Sequence, residues 1–295
     1  MRLRRGQGLL WTLGIVILLG LVELALRARY RQLVLPAGGA KSAEITIVAL
    51  GDSITAGWPG SPEQAWPARL EARLRAAYPA AAWRIVNAGA PGNTAPMGYV
   101  RFNQEVAAYG PDLVLIAFGL NDCHRARHAL DRWFEARVPV GPERSYLWRA
   151  MQARVVRIGR QLGRPEMPAY APEPTPMPFF RTSPAGFSAA LAALIDRTRD
   201  MGSRPVLLTM THLAEDTPPD VQAIFGECAA YNMRIRAIAE KRGVPLVELA
   251  DQMSEDAFAL DGLHLTSAGQ QWAADRVFSA LEAAGLWATL ARRKR

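Results

Sequence analysis

The feature that most constrains the fold is a regular alternation of short apolar runs with longer amphipathic stretches, which begins at Glu44. Apolar runs of this length, bounded by turn-forming residues, are typical of strands. Five of them occur, at Glu44–Leu50, Trp83–Asn87, Asp112–Phe118, Arg204–Met210 and Pro245–Leu249. Helical periodicity occupies four stretches, Glu63–Tyr78, Phe187–Met201, Val221–Lys241 and Ser267–Leu286. This order predicts an α/β domain, with a mostly parallel five-stranded sheet and helices on both faces.

The N-terminal part of the chain has a different character. A basic tail over residues 1–7 precedes the apolar stretch Gly8–Leu26, in which Glu23 is the one charged residue. At about 1.5 Å per residue this stretch covers roughly 28 Å, close to the hydrocarbon thickness of a bilayer. A cleaved signal peptide is the alternative, but its apolar region is usually shorter, at about 7–15 residues. We therefore predict an uncleaved transmembrane signal anchor over residues 8–26.

Positive charges flank this apolar stretch on both sides. They are Arg2, Arg4 and Arg5 before it, and Arg27, Arg29, Arg31 and Lys41 after it. The bias that keeps positively charged flanks in the cytoplasm is therefore nearly balanced. A short basic N-terminus that stays inside is the usual outcome for a signal anchor. We accordingly predict that the large domain lies outside the cytoplasm, in the periplasm or on the outer face.

Composition divides the rest of the chain into a linker (27–43), a globular domain (44–288) and a basic tail (289–295). Within the domain the strand–helix alternation is interrupted over residues 124–184, which we interpret as an insertion. The insertion contains a predicted amphipathic helix, Glu143–Leu162, followed by a segment rich in proline. So many prolines exclude a regular helix or a central strand there.

The formal net charge of +8 does not indicate a nucleic-acid partner. Residues 1–31 carry +5 and the last four residues carry +4, so residues 32–291 carry −1 and are close to neutral. A phosphate-binding surface would need a basic patch on the globular domain itself. The two cysteines, Cys123 and Cys228, exclude a disulfide-scaffold protein and a four-cysteine metal site. The sequence leaves open whether they form one bridge or remain two thiols.

Four short motifs follow predicted strands or precede the last predicted helix. They are Gly51-Asp52-Ser53, the segment Asn87–Asn93 that contains Gly89, Gly119-Leu120-Asn121-Asp122, and Asp261-Gly262-Leu263-His264. The carboxyl ends of parallel strands meet at one edge of a sheet, where ligands bind. An aspartate three residues before a histidine can accept a hydrogen bond from the ring Nδ1 and leave Nε2 free for a hydroxyl.

Through these motifs the sequence resembles the SGNH (GDSL) hydrolase family over about residues 44–288. The resemblance implies a flavodoxin-like three-layer α/β/α fold and the hydrolysis of esters and thioesters. It also implies that Ser53 attacks the ester carbonyl, that His264 acts as general base and then as general acid, and that Asp261 fixes the His264 tautomer. A serine hydroxyl needs such a neighbouring base because it is a poor nucleophile by itself.

The same resemblance implies an oxyanion hole made of the backbone N–H groups of Ser53 and Gly89 and the side-chain amide of Asn121. We interpret Asp52 and Asp122 as structural residues that hold their loops by hydrogen bonds. The chemistry requires no metal and no cofactor, because preorganised N–H donors stabilise the charge that develops on the oxygen.

We predict from this a membrane-anchored serine esterase whose partners are the membrane and an O-acyl ester substrate, either an acylated glycan or a lipid. Trp58, just past the predicted nucleophile, is the candidate substrate-binding residue near the acyl pocket. One alternative is an acyltransferase, in which a sugar hydroxyl instead of water takes the acyl group. Another is a non-catalytic glycan- or lipid-binding module, since a fold alone does not establish activity. The oligomeric state stays open.

Overall fold

A computed structural model of the chain describes residues 14–25, 43–125, 129–139, 180–211, 217, 219–225, 227–250, 253–259 and 261–293. Residues 14–25 belong to one compact unit, and the described residues from 43 to 138 and from 180 onwards belong to another. The predicted helix Glu143–Leu162 and the proline-rich segment after it lie outside the described residues.

Residues 14–25 are helical, and all of their large apolar side chains except the half-buried Val22 are exposed. The remainder of the predicted span, residues 8–13 and Leu26, lies outside the described residues. Within the part of the chain that the structure describes, no helix is both long enough and apolar enough to cross a membrane.

The larger unit is built on a five-stranded sheet. Its strands are β1 (Ile45–Gly51), β2 (Trp83–Gly89), β3 (Leu113–Ala117), β4 (Arg204–Leu208) and β5 (Leu246–Val247). They lie in the order β2-β1-β3-β4-β5, and every neighbouring pair is parallel. The predicted parallel five-stranded sheet is therefore confirmed, although the last strand is shorter than the predicted Pro245–Leu249.

Nine helices accompany the sheet in the described part of this unit. They are α1 (Ser53–Ala56), α2 (Trp66–Ala77), α3 (Ala95–Glu105), α4 (Ala129–Glu135), α5 (Pro184–Asp200), α6 (Pro219–Phe225), α7 (Cys228–Arg242), α8 (Ser267–Ala283) and α9 (Leu286–Arg293). Short 3₁₀ turns occupy Pro62–Gln64, Ala107–Tyr109 and Glu255–Ala257. Side-chain caps define several helix starts; for example, the Ser183 hydroxyl accepts the backbone N–H of Gly186 at the start of α5.

Alternate residues of each strand point to opposite faces of the sheet. Helices pack against both of these faces. In β1, Ile45, Ile47 and Ala49 pack into a core formed with α2, α8 and α9, where Trp66 and Trp287 are fully buried. The intervening strand residues are equally buried, namely Val48 and Leu50 of β1, Val114 and Ile116 of β3, and Leu207 of β4. Helices α3, α5 and α7 pack against one another and contact the sheet. The central strands β1, β3 and β4 are therefore largely apolar and buried, as expected for a sheet between two helical layers, whereas the edge strand β2 carries the exposed Arg84.

Other features also differ from the sequence prediction. The predicted single helix Val221–Lys241 is wrong, because the structure has two helices, α6 and α7, in its place. Gly226 stands between them in the sequence, and glycine is the poorest helix former after proline. In addition, α9 continues the packed structure to Arg293, beyond the predicted domain end at residue 288, because Trp287 and Leu290 are buried in the core.

Cys123 and Cys228, whose state the sequence left open, form a disulfide bond. Their Cα atoms lie 5.3 Å apart, within the usual range for a disulfide. The bond joins the loop that follows β3 to the first residue of α7, across a sequence separation of 105 residues.

Candidate active site

The sheet register brings the predicted motifs to one edge. Gly51, the last residue of β1, pairs with Gly89 of β2 on one side and with Ala117 of β3 on the other. The segments that follow these three residues therefore begin side by side. Ser53 stands in the first of them and Asn121 in the third.

Ser53 is the first residue of the short helix α1. Asp52 caps this helix, because its Oδ1 accepts the backbone N–H of Ile54 at 3.0 Å. Gly57 ends it in a left-handed conformation with φ of 88°, which glycine adopts without a steric penalty. Ser53 itself is only 5% exposed, so its side chain has little contact with bulk water.

His264 reaches Ser53 from a distant part of the chain. It lies in a turn closed by two backbone hydrogen bonds, from Ala259 N–H to the His264 carbonyl at 2.7 Å and from Gly262 N–H to the Ala259 carbonyl at 2.8 Å. Helix α8 begins shortly afterwards, capped by Thr266. The His264 Nε2 atom lies 3.0 Å from the Ser53 Oγ atom, within hydrogen-bond distance.

Asp261 binds the other side of the His264 ring. Its Oδ2 lies 2.6 Å from His264 Nδ1, and its Oδ1 accepts the backbone N–H groups of Leu263 at 3.0 Å and of His264 at 2.9 Å. Partial burial by itself would raise the pKa of Asp261, but the hydrogen bonds from His264 and Leu263 hold this pKa below its ordinary value. The carboxylate form is thus the one that the turn stabilises.

Asn121 lies in the loop that follows β3. Its Nδ2 donates to the backbone carbonyl of Asn93 at 3.1 Å, and its Oδ1 accepts from Arg181 Nη1 at 3.4 Å. The Nδ2 group has a second N–H, so the amide can serve a further acceptor. No sequence pattern singles out Arg181, which falls inside the predicted insertion.

Gly89, which the sequence predicts to supply an oxyanion N–H, already uses that N–H in another hydrogen bond. Its N–H donates to the Asn87 side chain at 2.9 Å, and its Cα packs against the backbone of Thr55 and Ala56. This hydrogen bond lies at the end of β2, within the strand itself. Gly92 is a better candidate, because it is exposed and has open space around it among the described residues, with φ of +76°.

Two buried carboxyl groups support these loops. The Asp122 carboxylate accepts the backbone N–H of Ala95 at 3.1 Å, which ties the β3 loop to the start of α3. Burial raises the pKa of Asp122 to about 7, against hydrogen bonds from Thr182 and Ala95 that lower it. Burial likewise raises the pKa of Asp52 to about 6. Both side chains lie inside the protein, which agrees with the structural role predicted for them.

Trp58 lies beside the nucleophile loop and is 53% exposed, an unusual state for a large aromatic residue. Its backbone N–H donates to the Ser53 carbonyl at 3.0 Å. A cavity of about 280 Å³ lies next to this segment. It is lined on one side by residues between Gly57 and Gln64, and on the other by Ala259 and residues between Leu265 and Gln270. The cavity therefore lies beside the segments that contain Ser53 and His264, although neither of these two residues lines it.

Among the described residues, no group of three or more His, Cys, Asp or Glu side chains is placed to hold a metal ion. The chemistry that this arrangement supports is that of an activated serine. A hydroxyl, an imidazole and a carboxylate form one hydrogen-bonded series, and the Asn121 amide belongs to the loop after the neighbouring strand β3.

The sequence profile of the GDSL-like lipase/acylhydrolase family matches residues 49–272. The chain belongs to this family. As a GDSL-like hydrolase it is a serine hydrolase of the ester-cleaving type, as the sequence predicted. The matched range includes every motif residue from Ser53 to His264. A search of curated protein sequences found no match.

Solved structures show that the GDSL-like hydrolase also shares its fold with esterases and lipases. The lipase/acylhydrolase from Enterococcus faecalis is 18% identical, with a TM-score of 0.55, over 81% of this chain and 96% of that chain. LAE5, a hydrolase from the metagenome of Lake Arreo in Spain, is 22% identical, with a TM-score of 0.52, over 80% and 94%. An acetylxylan esterase from Geobacillus stearothermophilus is 19% identical, with a TM-score of 0.52, over 80% and 93%.

Proposed function

We propose that this GDSL-like hydrolase is a membrane-anchored esterase that cleaves O-acyl esters through a covalent acyl-enzyme on Ser53. The observation that carries the proposal is the hydrogen-bond series from Asp261 through His264 to Ser53, with distances of 2.6 and 3.0 Å. Each of the three groups is within direct reach of the next, which is the geometric requirement for an activated serine nucleophile.

In the first half-reaction the Ser53 Oγ attacks the acyl carbonyl carbon while His264 Nε2 takes the hydroxyl proton. The Asp261 carboxylate, bonded to Nδ1, stabilises the imidazolium that forms. The tetrahedral intermediate then collapses. The bond from the carbonyl carbon to the alcohol oxygen breaks, and His264 returns its proton to that oxygen. The alcohol leaves, and the acyl group remains on Ser53.

In the second half-reaction a water molecule attacks the acyl-enzyme. His264 takes a proton from this water and returns it to Ser53 Oγ as the acyl–serine bond breaks, which releases the carboxylic acid and restores the enzyme. The oxyanion of both intermediates is proposed to bind the backbone N–H groups of Ser53 and Gly92 and the Nδ2 of Asn121. Loss of one such donor typically lowers the rate by about 10²–10³.

The membrane anchor and the location of the domain are part of the proposal. The apolar stretch Gly8–Leu26 supports the anchor. The Cys123–Cys228 disulfide supports a location outside the cytoplasm, because structural disulfides persist mainly in oxidising compartments. Protease added to intact spheroplasts should digest the domain, and protection until the membrane is lysed would place it in the cytoplasm instead.

The proposed substrate is an O-acyl ester of a glycan or of a lipid. The exposed Trp58 indole supports a glycan, since aromatic faces commonly pack against sugar rings, and one of the structural neighbours is an acetylxylan esterase. The full-length chain in detergent would be assayed on p-nitrophenyl esters with acyl chains from two to sixteen carbons, beside Ser53→Ala.

Ser53-dependent turnover confined to the acetate would support a deacetylase of glycans, and a maximum at longer chains would support a lipid esterase. A folded chain that hydrolyses none of these esters would refute general esterase activity. The same assay with an added oligosaccharide distinguishes hydrolysis from acyl transfer, because a transferase would release p-nitrophenol only when the acceptor is present and would form an acylated sugar.

A further inference from the structure

We infer that Arg181 is a positioning residue that orients the Asn121 amide and the Gly92 loop around the oxyanion. The inference rests on the proposed function, because it assigns Arg181 to the oxyanion site of that same reaction. Arg181 does not touch the reacting atoms in this assignment. It acts through the two groups that would bind the charged oxygen.

The guanidinium group of Arg181 contacts an acceptor oxygen on each of the two residues that carry these groups. Its Nη1 donates to the Gly92 carbonyl at 2.9 Å and to the Asn121 Oδ1 at 3.4 Å. One nitrogen therefore connects the loop after β2 with the loop after β3. These are the loops that supply the Gly92 N–H and the Asn121 Nδ2.

The contact determines which way the Asn121 amide faces. An asparagine side chain can rotate so that its oxygen and nitrogen exchange places, and only its hydrogen-bond partners decide between the two arrangements. Here Arg181 presents a donor to one end of the amide, and the Asn93 carbonyl presents an acceptor to the other end at 3.1 Å. After such a rotation the Asn121 Nδ2 would face the Arg181 donor, and the Asn121 Oδ1 would face the Asn93 carbonyl oxygen. Neither pair could form a hydrogen bond. Arg181 thereby keeps the remaining N–H of Nδ2 available for an oxyanion.

The guanidinium is itself rigidly held. Its Nε and Nη2 donate to the two carboxylate oxygens of Asp131 at 3.1 and 3.0 Å, a paired arrangement that only a guanidinium can form. Arg181 is 8% exposed and Asp131 is 2% exposed, so water competes little for these bonds. A lysine ammonium cannot hold Asp131 in this two-point geometry while also reaching Gly92 and Asn121.

The backbone around Arg181 is fastened to the same loop. The Arg181 N–H donates to the His124 carbonyl at 2.8 Å, and the Thr182 N–H donates to the Asp122 carbonyl at 3.2 Å. The Tyr231 hydroxyl donates to the Thr182 carbonyl at 2.6 Å, which ties the segment to α7. The side chain therefore has a fixed origin close to Asn121, and its effect on that residue is local.

The test uses the full-length chain with two alterations of the Arg181–Asp131 pair, called the clamp below. Arg181→Lys keeps the charge and removes the two-point geometry. Arg181→Met combined with Asp131→Leu removes both buried charges together, which leaves neither one unpaired and protects the fold. Arg199→Lys, on the exposed part of α5, is the matched control. Thermal unfolding of each variant shows whether it is folded at the assay temperature.

For Arg181→Lys and for the double variant we expect kcat on the best p-nitrophenyl ester to fall about 10- to 100-fold, with KM changed by less than about threefold. In an Asn121→Ala background the Arg181→Lys effect on kcat should be clearly smaller, because the amide that it orients is gone and only its contact with Gly92 remains. A purely structural role would give the same fold-loss in both backgrounds and would overturn the inference. A wild-type kcat in folded Arg181→Lys would overturn it as well.

A second readout does not depend on turnover. Amide hydrogen exchange, followed by mass spectrometry, should be faster in the peptides covering residues 90–94 and 119–123 of Arg181→Lys than in those of wild type and Arg199→Lys. Unchanged exchange there would show that Arg181 does not hold these loops. If wild-type chain lacks Ser53-dependent turnover while exchange changes as expected, the esterase function fails and the clamp stands.

Discussion

His264 Nε2 lies 3.0 Å from Ser53 Oγ although 211 residues separate the two side chains in the sequence. The two residues come from opposite ends of the domain, Ser53 from the end of β1 and His264 from the turn before α8. Two packing features bring them together. Helix α2, which follows the Ser53 segment, packs against α8, which follows His264. In addition, the Gln270 side chain accepts the Trp66 N–H at 2.8 Å and donates to the Ile54 carbonyl at 3.2 Å.

Ser53→Ala should abolish ester hydrolysis, because it removes the hydroxyl that lies 3.0 Å from His264 Nε2. The melting temperature should stay within about 2 °C, since one small side chain is shortened by a single atom. Ser279→Ala, at an exposed position of α8, is the matched control and should keep full activity. Activity in Ser53→Ala comparable to that of the control would remove Ser53 from the nucleophile position.

Asp261→Asn separates the charge of Asp261 from its role in the turn. The amide oxygen can still accept the N–H groups of Leu263 and His264, but the amide no longer stabilises a His264 imidazolium and favours the wrong tautomer. We expect kcat to fall by about 10⁴ while the fold is retained, by comparison with the same substitution in other serine hydrolases. Asp256→Asn, at an exposed aspartate, is the control. A loss below tenfold, measured in the folded variant, would show that Asp261 only shapes the turn.

Asn121→Ala should lower kcat by about 10²–10³ and change KM little, because an oxyanion donor acts mainly in the transition state. Asn93→Ala provides the control, since it removes a neighbouring amide but keeps the Asn93 backbone carbonyl that Asn121 contacts. Steady-state kinetics on one ester separates the two parameters. A raised KM with unchanged kcat would assign Asn121 to substrate binding instead.

Most of the framework of this site can be read from local sequence patterns. The strands are short apolar runs with turn residues behind them, and parallel pairing then places Ser53 and Asn121 at the same edge. The Asp261–His264 pair is recognisable because three residues of a turn are enough to bring the carboxylate to the ring. These features depend on short-range geometry, which the residue types and their spacing determine.

Other features depend on contacts that no local pattern encodes. Arg181 and Asp131 meet across 50 residues, so their pairing is visible only in three dimensions. The choice between Gly89 and Gly92 as an oxyanion donor depends on the Asn87 side chain, which takes up the Gly89 N–H. Either glycine has the conformational freedom for the role, and the sequence alone does not tell which N–H is already bonded.

The raised pKa of Asp122, about 7, makes stability depend on pH. An unfolded chain releases this proton near the ordinary pKa of 3.8, whereas the folded chain keeps it to about pH 7. Between these values the native state binds more protons than the unfolded state, so stability falls as the pH rises. The raised pKa of Asp52 acts in the same direction.

We therefore expect the melting temperature to be several degrees higher at pH 5 than at pH 8. Asp122→Asn, which carries a neutral amide at every pH, should reduce this difference, and the exposed Asp256→Asn should leave it unchanged. Thermal unfolding monitored by circular dichroism at both pH values provides the measurement. An equal pH dependence in wild type and Asp122→Asn would show that Asp122 is ionised in the folded protein at pH 5.

Reduction of the Cys123–Cys228 disulfide should destabilise the protein, because the bond closes a loop across 105 residues of sequence. Loss of a native bridge typically costs about 2–5 kcal/mol, which corresponds to a melting temperature lower by about 5–15 °C for a domain of this size. Cys123 also follows Asn121 by two residues in the same loop. Loss of the disulfide should therefore lower kcat, with a smaller change in KM. The variant Cys123→Ser with Cys228→Ser should match the reduced wild type and should not respond to reductant. A wild type whose melting temperature is the same with and without reductant, after thiol counting confirms that the bond is reduced, would show that the bridge does not stabilise the fold.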